Sequence, residues 1–227
     1  MSGNSSRVHS GQRACHDQLA SVVNKHLASP WRGVPAAHTR SAFEAIRAQV
    51  EATDRPLVFD SFCGTAMSTS ALAERHPDHT VIGIDQSARR LSRHARANPA
   101  NLLLVQAECG DFWRLAVEAG WRLARHFLLY PNPWPKPAHL KRRVHGSPDF
   151  AALLSLGGAV ELRSNWQIYT EEFGCALALA GHTPTIDRVV ADEPITLHER
   201  KYQNSQHELW RCRCQLGHNS GPQTAAT

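Results

Sequence analysis

The chain has 227 residues, 25 Lys plus Arg against 20 Asp plus Glu for a formal charge of +5, and 42% hydrophobic residues, enough for one sizeable core and with no sign of a second. No apolar run approaches the roughly 18 residues that cross a bilayer, no N-terminal segment has the pattern of a signal peptide, and six cysteines without a CxxC pair argue against zinc and for a reducing compartment. These features predict a cytoplasmic protein without a bound metal and with a moderate bias toward anionic partners, and they leave monomer and homodimer both open.

Residues 1–12 are rich in Ser, Gly and Arg and are expected to be disordered, as is the tail 217–227. Between 14 and 28, Leu19, Val22, Val23 and Leu27 recur at helical spacing ahead of Pro30, and Phe43, Ile46 and Val50 mark a second helix over Ser41 to Val50. Residues 13–56 thus read as a helical extension. From Leu57 to about 216, short apolar runs alternate with helical spacings, the mark of a single doubly wound α/β domain. Strands are predicted at 57–60, 80–85, 102–106, 125–130 and 159–163, with helices at 66–76, 87–97, 111–119, 149–156 and 168–180. Two late strands, near 184–190 and 207–214, are expected to close the sheet antiparallel with no helix between them. Cys212 and Cys214 alternate with Arg211 and Arg213, which puts both thiols on the core face of the last strand.

The turn Asp60-Ser61-Phe62-Cys63-Gly64-Thr65-Ala66 joins the first strand to its helix, where such a sheet brings backbone close to a ligand. It lacks the GxGxxG pattern, but Gly64, Thr65 and Ala66 are small and the helix start behind them offers free N–H groups. Asp85, followed by Gln86, closes the second strand about 20 residues on, where a carboxylate can accept both hydroxyls of a ribose. Glu108 and Cys109 follow the third strand. Each acid alone has an ordinary role, Asp60 as a helix cap and Asp85 as a turn residue. Acids at three successive strand ends make the chain resemble a class I S-adenosylmethionine-dependent methyltransferase, with Asp60, Phe62, Gly64, Thr65, Asp85, Gln86, Glu108 and Cys109 as the cofactor-binding set. Missing glycines weigh against a nicotinamide cofactor. Cys63 reads as a small buried loop thiol, with a reactive role left open by its nearness to the cofactor.

The fourth strand runs into Pro131-Asn132-Pro133-Trp134-Pro135-Lys136 and then His139-Leu140-Lys141-Arg142-Arg143. Three prolines stop the strand and stiffen the loop, and the clustered cationic groups suit a phosphate-bearing substrate. Trp134 suits stacking on a base, or anchoring the loop.

This block resembles the Pro-Asp-Pro-Trp, Lys and Lys-Arg-Arg block of bacterial tRNA (guanine-N7)-methyltransferases. Ser164-Asn165-Trp166 with Tyr169 is similar to that family's Thr-Asp-Trp and following Tyr, and Thr196-Leu197-His198-Glu199 to its Thr-x-Phe-Glu. The likeness runs from about Leu57 to Arg200. It implies a divergent member with a Rossmann-like, seven-stranded, mostly parallel sheet whose last strand is antiparallel, flanked by helices. It further implies S-adenosyl-L-methionine as methyl donor, tRNA as partner and a guanosine as acceptor. By position, Asn132, Asn165, Thr196 and Glu199 would be the catalytic set around the base, and Trp134, Lys136, His139, Lys141, Arg142 and Arg143 would bind the RNA.

Asn132 and Asn165 stand where the family pattern has Asp, and Phe62 and Ala66 where it has glycine. A guanine N7 already carries a lone pair, so its methylation needs no general base and rests on proximity and orientation. The ring turns cationic during transfer, and an amide stabilises that charge far less than a carboxylate, which leaves Glu199 as the expected remaining anion. Asn also donates hydrogen bonds, so the pair is compatible with a shifted base or position. A binding protein on a methyltransferase scaffold and a small-molecule methyltransferase remain as alternatives.

Overall fold

A computed structural model describes residues 5, 6, 8, 10–29, 31–94, 99–190 and 193–217. Its centre is a seven-stranded sheet of β1 (Leu57–Ser61), β2 (Thr80–Asp85), β3 (Leu102–Gln106), β4 (Leu123–Leu129), β5 (Gly158–Ser164), β6 (Thr185–Arg188) and β7 (Trp210–Leu216), in the order β3-β2-β1-β4-β5-β7-β6. The first five strands are parallel, and β7 runs antiparallel between β5 and β6. Strands β1 and β2 are buried along their whole length, as continuous Val, Ile and Phe runs between helical layers require. In β7 the core face takes Cys212 and Cys214 while Arg213 faces out, as the alternation predicted.

The helices are α1 (Leu19–Ala28), α2 (Ala37–Glu51), α3 (Met67–Arg75), α4 (Ala88–Leu91), α5 (Cys109–Glu118), α6 (Phe150–Leu156), α7 (Gln167–Leu179) and α8 (Leu197–Asn204). On one face α2 and α5 lock onto β1 through aromatic rings: Phe43 meets Phe112 at 5.3 Å and Trp121 at 4.8 Å, and Phe59 meets Phe112 at 5.6 Å. The other face is thinner and packs Val58, Leu72, Val81, Phe127 and Leu129 with Ile195 and Leu209. Among the described residues no helix is long and apolar enough to cross a membrane.

Three sequence expectations need correction. A helix, α8, does lie between the last two strands. It buries only Glu199, so it carries no apolar stripe, and its signature is the cap Thr196 with Glu199 three residues on. Helix α4 is one turn, not the 87–97 expected: Ser87 caps it through Arg90 N–H, but none of its residues is buried, so no packing extends it. Residues 95–98 of that expected helix lie outside the described residues, as does the tail beyond 217. Helix α2 begins at Ala37, ahead of Ser41, because Thr39 is buried and accepts the Glu108 N–H at 3.0 Å. Within the N-terminal segment, Gln12 and the His16 N–H reach Glu172 of α7.

Candidate active site

The sheet order changes direction at β1, and beyond the carboxyl ends of β1, β2 and β4 lies a cavity of about 830 Å³. Its cofactor side is the β1–α3 turn. Cys63 N–H donates to Ile84 O at 3.1 Å and Gly64 N–H to Asp85 Oδ2 at 2.9 Å, which ties the turn to the end of β2. Phe62 and Ala66 hold left-handed conformations, φ 62° and 57°, so the turn keeps a glycine-like path without the expected glycines, at a steric cost of about 1 kcal/mol each. Above Gly64 a Cβ would meet open space.

Phe62, Gly64, Thr65, Asp85, Gln86 and Glu108 line the cavity. Asp85 is 1% exposed, and its Oδ1 accepts from Ser87 N–H at 2.8 Å and from Arg90 Nη2 at 2.7 Å. Glu108 caps α5 by accepting the Gly110 N–H, and burial raises its pKa. Two members of the predicted set lie behind the wall. Asp60 is fully buried; its Oδ2 accepts from Ser68 Oγ at 2.7 Å and Thr69 Oγ1 at 2.6 Å, its Oδ1 has no hydrogen-bond partner among the described residues, and burial pushes its pKa up to about 6. Cys109 is buried with Sγ toward Ile84 O, so it supports the wall and does not line it. Burial also raises the Cys63 thiol, which removes the thiolate a reactive role needs.

The opposite wall is the proline loop with Asn165 and the start of α8. Asn132 is exposed, and its Oδ1 accepts the Trp134 N–H at 3.3 Å. The Trp134 ring carries Arg142 on its face at 4.7 Å and His139 edge-on at 5.5 Å. Lys141 and Arg142 line the cavity, whereas exposed Lys136 and half-buried His139 lie outside it. Thr196 also lines the cavity while its Oγ1 caps α8 by accepting the Glu199 N–H at 2.8 Å. Asn165 Nδ2 lies 3.0 Å from His207 Nδ1.

Arg143 and Glu199 are not where the family pattern suggested. Arg143 is 3% exposed, paired with buried Glu172, and its Nε donates to the Trp134 carbonyl at 3.2 Å. It braces the loop from beneath and offers nothing to a phosphate. Burial alone would raise the Glu172 pKa, but hydrogen bonds from His145, Arg143 and the His16 N–H outweigh it and hold the carboxylate at about 2. Glu199 is fully buried; Oε1 accepts from Arg163 Nη1 at 2.8 Å and from the Tyr130 hydroxyl at 3.2 Å, and Oε2 from Ile195 N–H at 2.8 Å. Its charge is spent on Arg163, so it supplies no anion to the cavity.

Sequence reasoning missed Arg90, Tyr202 and His198, all of which line the cavity. Tyr202 packs on Tyr130 at 5.7 Å and stacks on His198 at 5.9 Å. The i, i+4 spacing of His198 and Tyr202 was the available signal; a lone Arg90 gave none. Among the described residues no group of three His, Cys, Asp or Glu is placed to hold a metal ion.

This wall suits S-adenosylmethionine, whose ammonium, ribose hydroxyls and adenine amine are all hydrogen-bond donors. The acceptors that line it are Asp85 and Glu108, with open space over Gly64. Fold and site together define a Rossmann-like class I methyltransferase. Residues 54–212 match the family model Methyltransf_4, described as "Putative methyltransferase", and the chain belongs to this family. Its cofactor is S-adenosyl-L-methionine. Curated relatives named tRNA (guanine-N(7)-)-methyltransferase include those of Leifsonia xyli subsp. xyli, 26% identical over 65% of this chain and 70% of its own. That of Burkholderia vietnamiensis is 25% identical over 90% of this chain and 79% of its own. Among solved structures, the 16S rRNA methyltransferase KamB aligns at TM-score 0.58 and 17% identity, covering 77% of this chain and 94% of its own. A point mutant of the 16S rRNA (adenine(1408)-N(1))-methyltransferase of Catenulisporales acidiphilia, with cosubstrate SAM, aligns at 0.55 and 18%, covering 77% and 92%. These two support the fold alone.

Proposed function

We propose that the protein methylates a guanosine of tRNA, with N7 as the acceptor, using S-adenosylmethionine. The observation that carries this reading is that one cavity gathers the β1–α3 turn and Asp85 with Asn132, Trp134, Lys141, Arg142, Asn165 and Thr196. The names of the curated relatives support the same substrate.

When bound, the cofactor supplies an electrophilic methyl group on a sulfonium. The chain's own residues then need no general base, since N7 offers a lone pair, and their work is placement. Lys141 and Arg142 meet RNA phosphates, Arg142 also rigidifies Trp134, and the loop keeps its shape because Arg143 and Glu172 fasten it from below. Tyr130, Tyr202 and His198 give an aromatic wall for a base. Asn132, Asn165 and Thr196 offer polar atoms to its edge. Neither amide carries charge, so stabilisation of the cationic ring rests on dipoles, and a modest rate follows.

The amides also favour a second reading, an RNA-binding protein on the same scaffold that transfers no methyl group. Nucleoside mass spectrometry of tRNA from cells with and without the gene separates the two. Loss of 7-methylguanosine supports the first reading, loss of another methylated nucleoside moves the acceptor, and unchanged tRNA leaves the binding protein.

A further inference from the structure

The amide of Asn165 belongs to a hydrogen-bond chain that leads out of the cavity. Its Nδ2 lies 3.0 Å from His207 Nδ1, and His207 Nε2 lies 3.3 Å from the Ser5 carbonyl oxygen. A carbonyl only accepts, so Nε2 carries a proton. The other partner is an amide nitrogen, which only donates, so Nδ1 is bare and the ring is the neutral Nε2–H tautomer. The imidazole is held in plane by Tyr202, stacked at 5.3 Å and 19°, which itself stacks on His198 one helical turn earlier. The nearest charged neighbour in sequence, Glu208, is paired with Arg188. Across the adjoining cavity stand Arg13 and Glu171. Asn165 Oδ1 has no protein partner among the described residues, and Asn165 lines the cavity.

We propose that His207 is a positioning residue that fixes which end of the Asn165 amide faces the target base. With Nδ2 held by Nδ1 of His207, Oδ1 is the atom left for the base, and Asn165 presents the acceptor face of a carboxylate without its charge. The edge it reads is therefore a donor, the ring N1–H or the exocyclic amine of a purine such as guanine. An amide free to flip would accept a donor edge and an acceptor edge alike; the His207 contact removes that ambiguity. The inference deepens the proposed function and rests on it for the identity of the base, but the tautomer it requires does not.

Long-range 1H–15N NMR of histidine-labelled protein at neutral pH, with His207 assigned from the spectrum of His207→Gln, tests the contact directly. The Nε2–H pattern is expected for His207; an Nδ1–H pattern or a doubly protonated ring overturns the proposal. Methyl transfer to unmodified tRNA tests the consequence. His207→Ala lowers kcat/KM by roughly tenfold, the worth of one well-placed hydrogen bond, and His207→Gln, whose carboxamide oxygen accepts from the same Nδ2, recovers most of it. Equal rates for His207→Ala and the unaltered protein, or a glutamine variant as slow as the alanine one, overturn it. If the unaltered protein methylates no tRNA, the proposed function fails and the NMR tautomer decides the positioning role by itself.

Discussion

Arg90 holds Asp85: its Nε and Nη2 donate to Asp85 Oδ1 at 3.0 and 2.7 Å, while Oδ2 is taken by the Gly64 N–H at 2.9 Å. Any diol that comes to this carboxylate has to displace a guanidinium whose side chain is half exposed. Arg90→Ala removes the competitor and tightens binding of S-adenosylhomocysteine. An ion pair with one exposed partner is worth about 1 kcal/mol or less, so the gain is up to about fivefold. Isothermal titration calorimetry reads it; weaker binding would mean that Arg90 swings onto the cofactor and belongs to its site.

Arg142 and Arg143 are neighbours with opposite duties. Arg143→Ala leaves Glu172 buried without its cation and destabilises the fold by about 3–5 kcal/mol, measured by urea denaturation. Arg142→Ala keeps the urea midpoint and lowers the slope of log K against log salt for tRNA binding by about one unit. An unchanged slope in the Arg142 variant would remove the phosphate contact.

His126 sets part of the acid response. It is fully buried, its Nε2 lies 2.9 Å from Ser61 Oγ, and burial pushes its pKa down from 6.5 to about 3. The folded state resists protonation that the unfolded chain accepts, so this contribution is complete above pH 6.5 and is lost progressively as pH falls toward 3. The loss is on the order of 5 kcal/mol. Denaturation of the unaltered protein across this range should show it, and His126→Phe should flatten the curve even though the variant is less stable at neutral pH. A parallel pair of curves would contradict the assignment.

Asn132→Asp tests the charge argument. The carboxylate keeps the acceptor for the Trp134 N–H and adds an anion beside a ring that becomes cationic. Single-turnover transfer at saturating tRNA should accelerate about tenfold. A slower variant would point to a base edge that needs the amide's N–H.

The first three strands were readable because the apolar runs at 57–60, 80–85 and 102–106 are short and separated by turn residues, and the acids that follow them mark the ligand side of the sheet. Periodicity failed at α8, which buries one charged residue and is held by a cap and by Arg163, so its helicity is a tertiary and capping effect. The same limit applies to the site. Asn132, Trp134, Lys141 and Arg142 could be placed from the loop they share, but a run of cations says nothing about which one turns inward. Arg143 turns inward because Glu172, 29 positions away, is buried beneath it. Likewise the Thr196 and Glu199 pair has the spacing of a capping box, and packing under Tyr130 turned Glu199 from the target toward Arg163.

The proposed reaction is methyl transfer from S-adenosylmethionine to a guanine ring nitrogen of tRNA. Incubating the purified protein with the methyl-labelled cofactor and unmodified tRNA, followed by digestion and mass spectrometry of the nucleosides, tests it most directly. Label is expected in 7-methylguanosine, at a rate that Asn132→Asp raises. Label in no nucleoside of tRNA, from protein that binds both cofactor and RNA, would contradict it.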